Sequence, residues 1–482
     1  MHHIASNRHY SYSLALIIAI IFGLITINQM LTAGITLCLI CIIFAFMSTS
    51  YSFIGAGLLG YIFFTILIPK AGLKIAGMPL TVSNVLLVVF LISACFYMLI
   101  NKQQDIFEEN SIDAFVSVFM LVALVFFCGQ FIVSFMKLGF KASLMAFIPN
   151  VTPIFIFGCS YVFLRNRIDR LLKVLQISLF IVVMFGLLQL IFGHYQTLIP
   201  GVTVNYTDYA EDGDRVFEQK MNMTSLGLKL VGTYQNGNLF GSVLLIACIL
   251  GIGFFKKSES WLGKFTALII IVFSLIEIIA TLSRSALLGL ALGLIVLGLY
   301  YRRYLIFILA TCSFGYWFIN LMGYDERLYQ QDMTAAGRTF QYEDFFNSFM
   351  SMPLLEKASF LTVGKGFGFQ SEMIGDYQLT IVESGILNLI MYSGLFGLFL
   401  YLAPLFFSGY AISKIRYESN DRFFIICVFS AMIGMWGQMS IDQLLNLPPT
   451  SNNYWILTFT LLLLIRNKSN SATSATNTIQ NG

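Results

Sequence analysis

The chain is poor in charge, in histidine and in proline. Only 11% of its 482 residues are Asp, Glu, Lys or Arg, where about 25% is usual in soluble proteins. A soluble fold of this length could not cover its surface with so few charges. A disordered chain would not carry so many apolar residues. A cytosolic enzyme, a nucleic-acid binder and a disordered protein are therefore excluded. The net charge of +4 is too small to imply an anionic partner. Histidine occurs only at His2, His3, His9 and His194, so a multi-histidine metal site is not expected. All eight cysteines (Cys38, Cys41, Cys95, Cys128, Cys159, Cys248, Cys312 and Cys427) lie inside apolar runs. Cys38 and Cys41 have CxxC spacing, but no second pair or nearby histidine accompanies them. They read as small apolar residues in lipid-phase helices. No metal and no cofactor is expected. No small-residue cleavage site precedes the first apolar run, so the amino end is expected to stay attached. No internal repeat is visible, which speaks against a transporter.

What is present is apolar. Hydrophobic residues make up 58% of the chain, and its mean hydropathy is +0.81. Runs long enough to cross a bilayer, about 20 residues each, fall near 12–28, 30–47, 51–68, 82–100, 112–136, 143–164 and 171–192. Others fall near 236–255, 262–282, 285–300, 303–322, 384–410, 422–445 and 453–466. The expected fold is an all-α polytopic membrane protein of about fourteen spans. Pro149 and Pro153 are expected to kink the 143–164 run. Five basic clusters orient it: Arg165, Arg167, Arg170 and Lys173; Lys256, Lys257 and Lys264; Arg302 and Arg303; Lys414, Arg416 and Arg422; Arg466 and Lys468. With these spans all five fall on one side, which the positive-inside bias makes cytoplasmic, and both termini with it. Lys70, Lys74, Lys137 and Lys141 fall on the other side and break the rule.

The expected organisation is N-terminal spans over 1–192, a first outer loop over 193–235, and spans over 236–322. A large outer loop over 323–383, C-terminal spans over 384–466 and a disordered cytoplasmic tail over 467–482 follow. In the first loop, the acids from Asp208 to Glu218 read as a solvated face, and Lys229 precedes the next span at headgroup height. In the second loop, Tyr342, Phe345, Phe346 and Phe349 are spaced as one helix face. Arg338 falls on that face, either aimed at the membrane body or with its stem buried and its head at the interface. Gly364, Gly366 and Gly368 form Gly-Lys-Gly-Phe-Gly, which permits close backbone approach but lacks P-loop spacing. Arg284, in Thr-Leu-Ser-Arg-Ser, is placed in an outward turn between spans. It can pair bidentately with phosphate oxygens or anchor to lipid headgroups. Glu277, seven residues earlier, is an acid inside a span. It is read as functional or as part of a structural ion pair.

Four segments resemble the O-antigen polymerase and ligase superfamily of bacterial envelope polysaccharide enzymes: Gly232 to Asn238, Thr281 to Leu288, Gly364 to Gly368, and Glu383-Ser384-Gly385 with Ser393 to Gly397. The resemblance covers roughly 170–465. It implies a glycosyltransferase-C-like membrane fold and metal-independent transfer of undecaprenyl-diphosphate-linked sugars at the outer face of the bacterial inner membrane. Lipid-linked glycan would be both donor and acceptor. Membrane lipids, a chain-length regulator and a flippase are the other expected companions. Ligases of the superfamily carry a histidine near the end of the long loop; here Glu383 stands near that place, which favours a polymerase. Lys229 stands where an arginine is often found. On this reading Arg284, Arg338 and Lys229 hold the diphosphate. Glu383 and Asp376 are candidates to accept the acceptor's proton, and Glu277, Gly366 and Gly368 support the site. The alternatives are a ligase acting on lipid A core or protein and, outside enzymes, a polysaccharide or lipid flippase.

Overall fold

The computed structural model describes residues 51–68, 72–75, 78–81, 111–193, 223–224, 227–234, 236–302, 333–369, 371–374, 377–415, 419–442 and 448–480, with isolated positions between 87 and 97. The expected spans 12–28, 30–47 and 303–322, most of 82–100, and the acids Asp208 to Glu218 lie outside the described residues. The elements are α1 (Tyr51–Leu67), β1 (Gly72–Ile75), β2 (Met78–Thr81), α2 (Ser111–Leu164), α3 (Ile168–Phe192), β3 (Met223–Thr224), β4 (Gly227–Leu228), α4 (Gly237–Lys257), α5 (Trp261–Ala280), α6 (Arg284–Tyr300), α7 (Met333–Ser351), α8 (Leu354–Val363), β5 (Ser371–Ile374), β6 (Tyr377–Thr380), α9 (Gly385–Lys414), α10 (Asn420–Met439) and α11 (Pro448–Gln480). The strands form three antiparallel hairpins. Among the described residues, seven helices are long and apolar enough to cross a membrane: Ser111–Phe140, Ala146–Leu164, α3, α4, α5, α9 and α10. The protein is an all-α membrane protein.

Two departures from the expected helices have physical causes. The break in α2 falls at Gly139 (φ 75°, ψ 171°), not at Pro149 or Pro153. Those dihedrals are open essentially to glycine alone, and they divide α2 into the two expected spans. The expected disordered tail is helical through Gln480. Once Thr450 to Arg466 are fixed in the core, each further residue adds a hydrogen bond without a new nucleation cost.

The helices alternate in direction and give the bundle two unlike ends. At one end, Lys257 closing α4 meets Asp421 opening α10 at 2.5 Å, and Lys468 approaches the same carboxylate at 3.9 Å. Asp113, at the start of α2, accepts from Arg466 Nε at 2.9 and 3.2 Å and from the Tyr161 hydroxyl. All three of those side chains are buried. A buried charge must be paired, so this contact pins the first turn of α2 to the far end of α11. At the opposite end, α4, α6 and α9 begin. Twenty-one residues of α4 separate the ends by about 31 Å, close to the hydrocarbon thickness.

Inside the bundle, α10 packs between α4 and α6. Gly289 and Gly434 let α6 and α10 nearly touch: a Cβ on Gly434 would sit 2.6 Å from the Gly289 carbonyl. Lipid gives helices no hydrophobic drive to associate, so such small residues gain the dispersion contact instead.

The long loop is also folded. Phe345, Met352, Phe360, Ile374, Leu379 and Val382 form a second core with Met391 of α9. In the expected helix face of α7, Tyr342, Phe345 and Phe349 turn inward, but Phe346 is 54% exposed. The inward stripe includes buried Ser348 instead. α9 breaks at Gly394 (φ 65°, ψ −171°), and the segment after α8 docks into that break.

Gly394→Ala is expected to destabilise the fold. The dihedrals alone cost about 1–3 kcal/mol, and the new methyl would strike the backbone of Thr362. Gly60→Ala, whose Cβ would meet nothing within 4 Å, serves as the control. Melting of the detergent-solubilised protein should drop for the first and hold for the second.

Candidate functional site

Three of the residues singled out by sequence, Lys229, Arg284 and Glu383, lie at the end opposite the Lys257–Asp421 contact. The turn between α5 and α6 comes first. Thr281 Oγ1 accepts from Ser283 N, and Ser283 Oγ caps α6 by accepting from Ala286 N. Leu282 takes φ 53°, a left-handed value that costs a non-glycine residue about 1–2 kcal/mol. Arg284 is the first residue of α6 and is exposed. A cation there opposes the helix dipole, at about 0.3–1 kcal/mol. A strained turn and a cation at a helix start are local conflicts of the kind that concentrate at functional sites.

Lys229 lies beside this turn. Leu230 N donates to Ala280 O at 3.0 Å. Gly237, which opens α4, is so close that a Cβ there would lie 3.1 Å from that of Lys229 and 2.8 Å from Thr281 O. Two residues beyond Lys229, Val231 N and Gly232 N both donate to Gln189 Oε1 of α3. Residues 231 and 232 are therefore held against α3, and Asn236 Oδ1 caps α4 through Leu239 N.

Glu383 stands at the third helix start. Ser384 caps α9 through Leu387 N, and Asn388 both accepts from Val382 N and donates to Val382 O. Glu383 is half-buried, and its N–H donates to Gln341 Oε1 of α7 at 3.1 Å. Arg338 lies on α7 one turn before Gln341, so the backbone of α7 brings its position toward Glu383. The Arg338 side chain and Asp376 lie outside the described residues.

Asp442, just past α10, ties these parts together. Ser285 of α6 donates its hydroxyl to Asp442 Oδ2. Gly385 N of α9 donates to the Asp442 carbonyl at 3.1 Å. The side chain is 6% exposed. Arg284 and Glu383, 99 positions apart, are thus each one or two residues from a partner of Asp442. Sequence reading missed this residue because it ends an apolar run; the acid in the 422–445 stretch was the available signal.

Two expectations change. The Glu277–Arg284 spacing is two helical turns only if one helix spans both, but α5 ends at Ala280. Glu277 is fully buried beside Gly186, and among the described residues neither carboxylate oxygen has a hydrogen-bond partner. Gly366 and Gly368 lie not beside Arg284 but against α2, where Cβ atoms would approach Ser134 Oγ at 3.0 Å and Ala146 Cβ at 2.9 Å. Just before them, Lys365 is buried and paired with Glu356 at 2.6 Å and Glu372 at 2.8 Å. Lys137, which broke the charge-sidedness rule, donates to the Lys365 carbonyl. Its cation is used to hold the loop.

Three helix starts with their dipoles, together with Arg284 and Lys229, favour an anion at this end. Glu383 and Asp442 add carboxylates beside them. Among the described residues, no three His, Cys, Asp or Glu side chains group as metal ligands would. No family model, curated protein or solved structure matches the chain.

Because Glu277 has no hydrogen-bond partner among the described residues, none of the described contacts depends on its charge. Glu277→Gln is expected to leave abundance and melting unchanged or slightly raised. Ser285→Ala, which strips Asp442 of a buried donor, should lower melting by an amount equivalent to about 1–3 kcal/mol.

Proposed function

We propose that the protein is a membrane glycosyltransferase that polymerises undecaprenyl-diphosphate-linked repeat units into a surface polysaccharide, at the outer face of a bacterial inner membrane. The observation that carries this reading is the junction at Asp442. Through it, the arginine turn and the Glu383 corner, two of the segments that resemble the polymerase and ligase superfamily, meet at one end of the bundle. A flippase has no evident use for an exposed arginine held against its helix dipole beside a carboxylate corner.

In the reaction, a hydroxyl of the incoming unit attacks the anomeric carbon of the lipid-linked chain. The bond from that carbon to the diphosphate oxygen breaks, the new glycosidic bond forms with inversion, and the electron pair leaves on the lipid diphosphate. Arg284 and Lys229 stabilise the growing negative charge, joined by Arg338 of α7. Fixed cations in a partly dry site act without reorganisation, which is the source of their effect. Glu383 or Asp376 takes the hydroxyl proton. Asp442 positions Arg284 through Ser285 and is not itself in the reaction. The absence of a histidine at the end of the long loop favours polymerase over ligase.

Arg284→Lys should cut chain extension about 10²–10³-fold at normal abundance, because a point charge does not replace a bidentate one. Arg338→Ala should act similarly. Glu383→Gln should be worse than Glu343→Gln on the exposed face of α7, and extension should persist in EDTA. The assay is lipid-linked glycan length over time with purified protein. Normal ladders from both arginine variants would reduce them to anchors, and magnesium-dependent activity would end the metal-free mechanism. Deletion in cells separates polymerase from ligase. Loss of a polymerase leaves single-repeat glycan on its final acceptor; loss of a ligase strands polymer on the carrier lipid.

A further inference from the structure

The corner between α7 and α8 exposes an apolar surface that the proposed reaction does not use. Leu354 is 85% exposed and Leu355 86%, with Met350 at 70% and Phe346 at 54%. Soluble loops seldom present neighbouring leucines so fully.

The depth of α8 decides what covers them. Its last residue, Val363, accepts a hydrogen bond through its carbonyl from Gln130 Nε2 at 2.6 Å. Gln130 lies ten residues before Phe140, which ends the first span of α2. Along a helix that is about 15 Å. Phe367, four residues beyond Val363, is buried deeper, stacked on Phe127 at 5.6 Å. α8 has ten residues, so it too is about 15 Å long. Even if α8 rose parallel to α2, Leu354 would not clear the level of Phe140. Over that depth α2 itself presents apolar side chains outward: Ile132, Phe135, Met136, Leu138 and Phe140. The leucines of α8 therefore lie within the depth of the lipid-facing band.

The polar groups of the corner agree. Glu356 is paired with Lys365. The Lys357 ammonium donates to the Met350 carbonyl at 2.6 Å and stands 5.9 Å from the Phe349 ring centre. The exposed hydroxyl of Ser351 donates to Asn347 O, and that of Thr362 to Ala358 O. In water such exposed groups gain little from bonding inward. In lipid they have no other partner, so back-bonding to the helix is what the environment selects.

We infer that the α7–α8 corner is a membrane-embedded wedge, with Leu354 and Leu355 inserted among the acyl chains of the leaflet next to the site. It anchors the large loop, and with it α7, independently of the reaction assigned to the site. The insertion is shallow and one-sided, as for interfacial helices.

The test is photo-crosslinking in vesicles of phosphatidylethanolamine and phosphatidylglycerol carrying an acyl-labelled lipid. Benzoylphenylalanine replaces Leu354 or Leu355. Leu268, exposed mid-way along α5, is the lipid-facing control, and Glu343 on the exposed polar face of α7 is the water-facing one. The expected result is a lipid adduct at Leu354 or Leu355 with a yield of the order seen at Leu268, and at least about tenfold above Glu343. Labelling at Leu268 with none at Leu354 and Leu355 would overturn the wedge. So would adducts from these positions to a second copy of the chain or to another protein, because the surface would then be a protein interface.

Discussion

A backbone that leaves its helix at membrane depth must find new partners for every freed N–H and carbonyl. Much of this structure follows from how that demand is met at Gly394. The break there releases the carbonyls of Met391 and Tyr392 from α9. Lys365 N and Gly366 N fill them at 2.7 and 3.0 Å. The incoming segment brings carbonyls of its own, and Gln130 and Lys137 of α2 satisfy those of Val363 and Lys365. Only glycine permits the approach. A Cβ at Gly364 would lie 2.6 Å from Ser393 N, and φ there is 76°. The long loop is thereby fastened to two spans at once.

That fastening fixes the geometry of the site. With α8 locked against α9, Phe360 meets Phe345 and Phe349, and α7 is laid across the start of α9. Gln341 can then reach Glu383 N. The bundle supplies the other side: α10 ends at Asp442, which holds the first turns of α6 and α9 together. Cations presented by α6 and by the Lys229 corner consequently face a loop that is rigid rather than tethered. Preorganised charge is worth more than charge that must be gathered.

Hydropathy made the spans legible, because lipid forces long uninterrupted apolar runs and helices with few alternatives. The boundaries of α3, α4, α6 and α9 fall within a few residues of the apolar runs. Arg284 was legible too, since a charged residue in a short turn between two spans stands out against its surroundings. Relations across the chain were not. Asp442 has no local signature, and its role exists only because Ser285 and Gly385 arrive from elsewhere. Gly366 and Gly368 are visible as glycines, but their use, close packing on α2, depends on a break in a helix that begins seventeen residues later than Gly368. The spacing of Glu277 and Arg284 misled for the same reason: it presumes a helix that the turn at Thr281 to Ser283 ends.

The two ends of the bundle also bear on Lys137, which breaks the positive-inside pattern; the side chains of Lys70, Lys74 and Lys141 lie outside the described residues. Cations at the end with Lys257, Arg466 and Lys468 have nearby carboxylates: Asp421 for both lysines and Asp113 for Arg466. Their ion pairs serve packing. At the opposite end, three of the described cations differ in their surroundings. Lys137 holds a loop carbonyl, Lys365 neutralises Glu356 and Glu372 inside the loop core, and Arg284 opens a helix whose dipole it opposes. The first two stabilise the fold where they stand. Arg284 is placed differently: exposed, on a strained turn beside two other helix starts, it stands where the proposed reaction needs a cation for the leaving diphosphate.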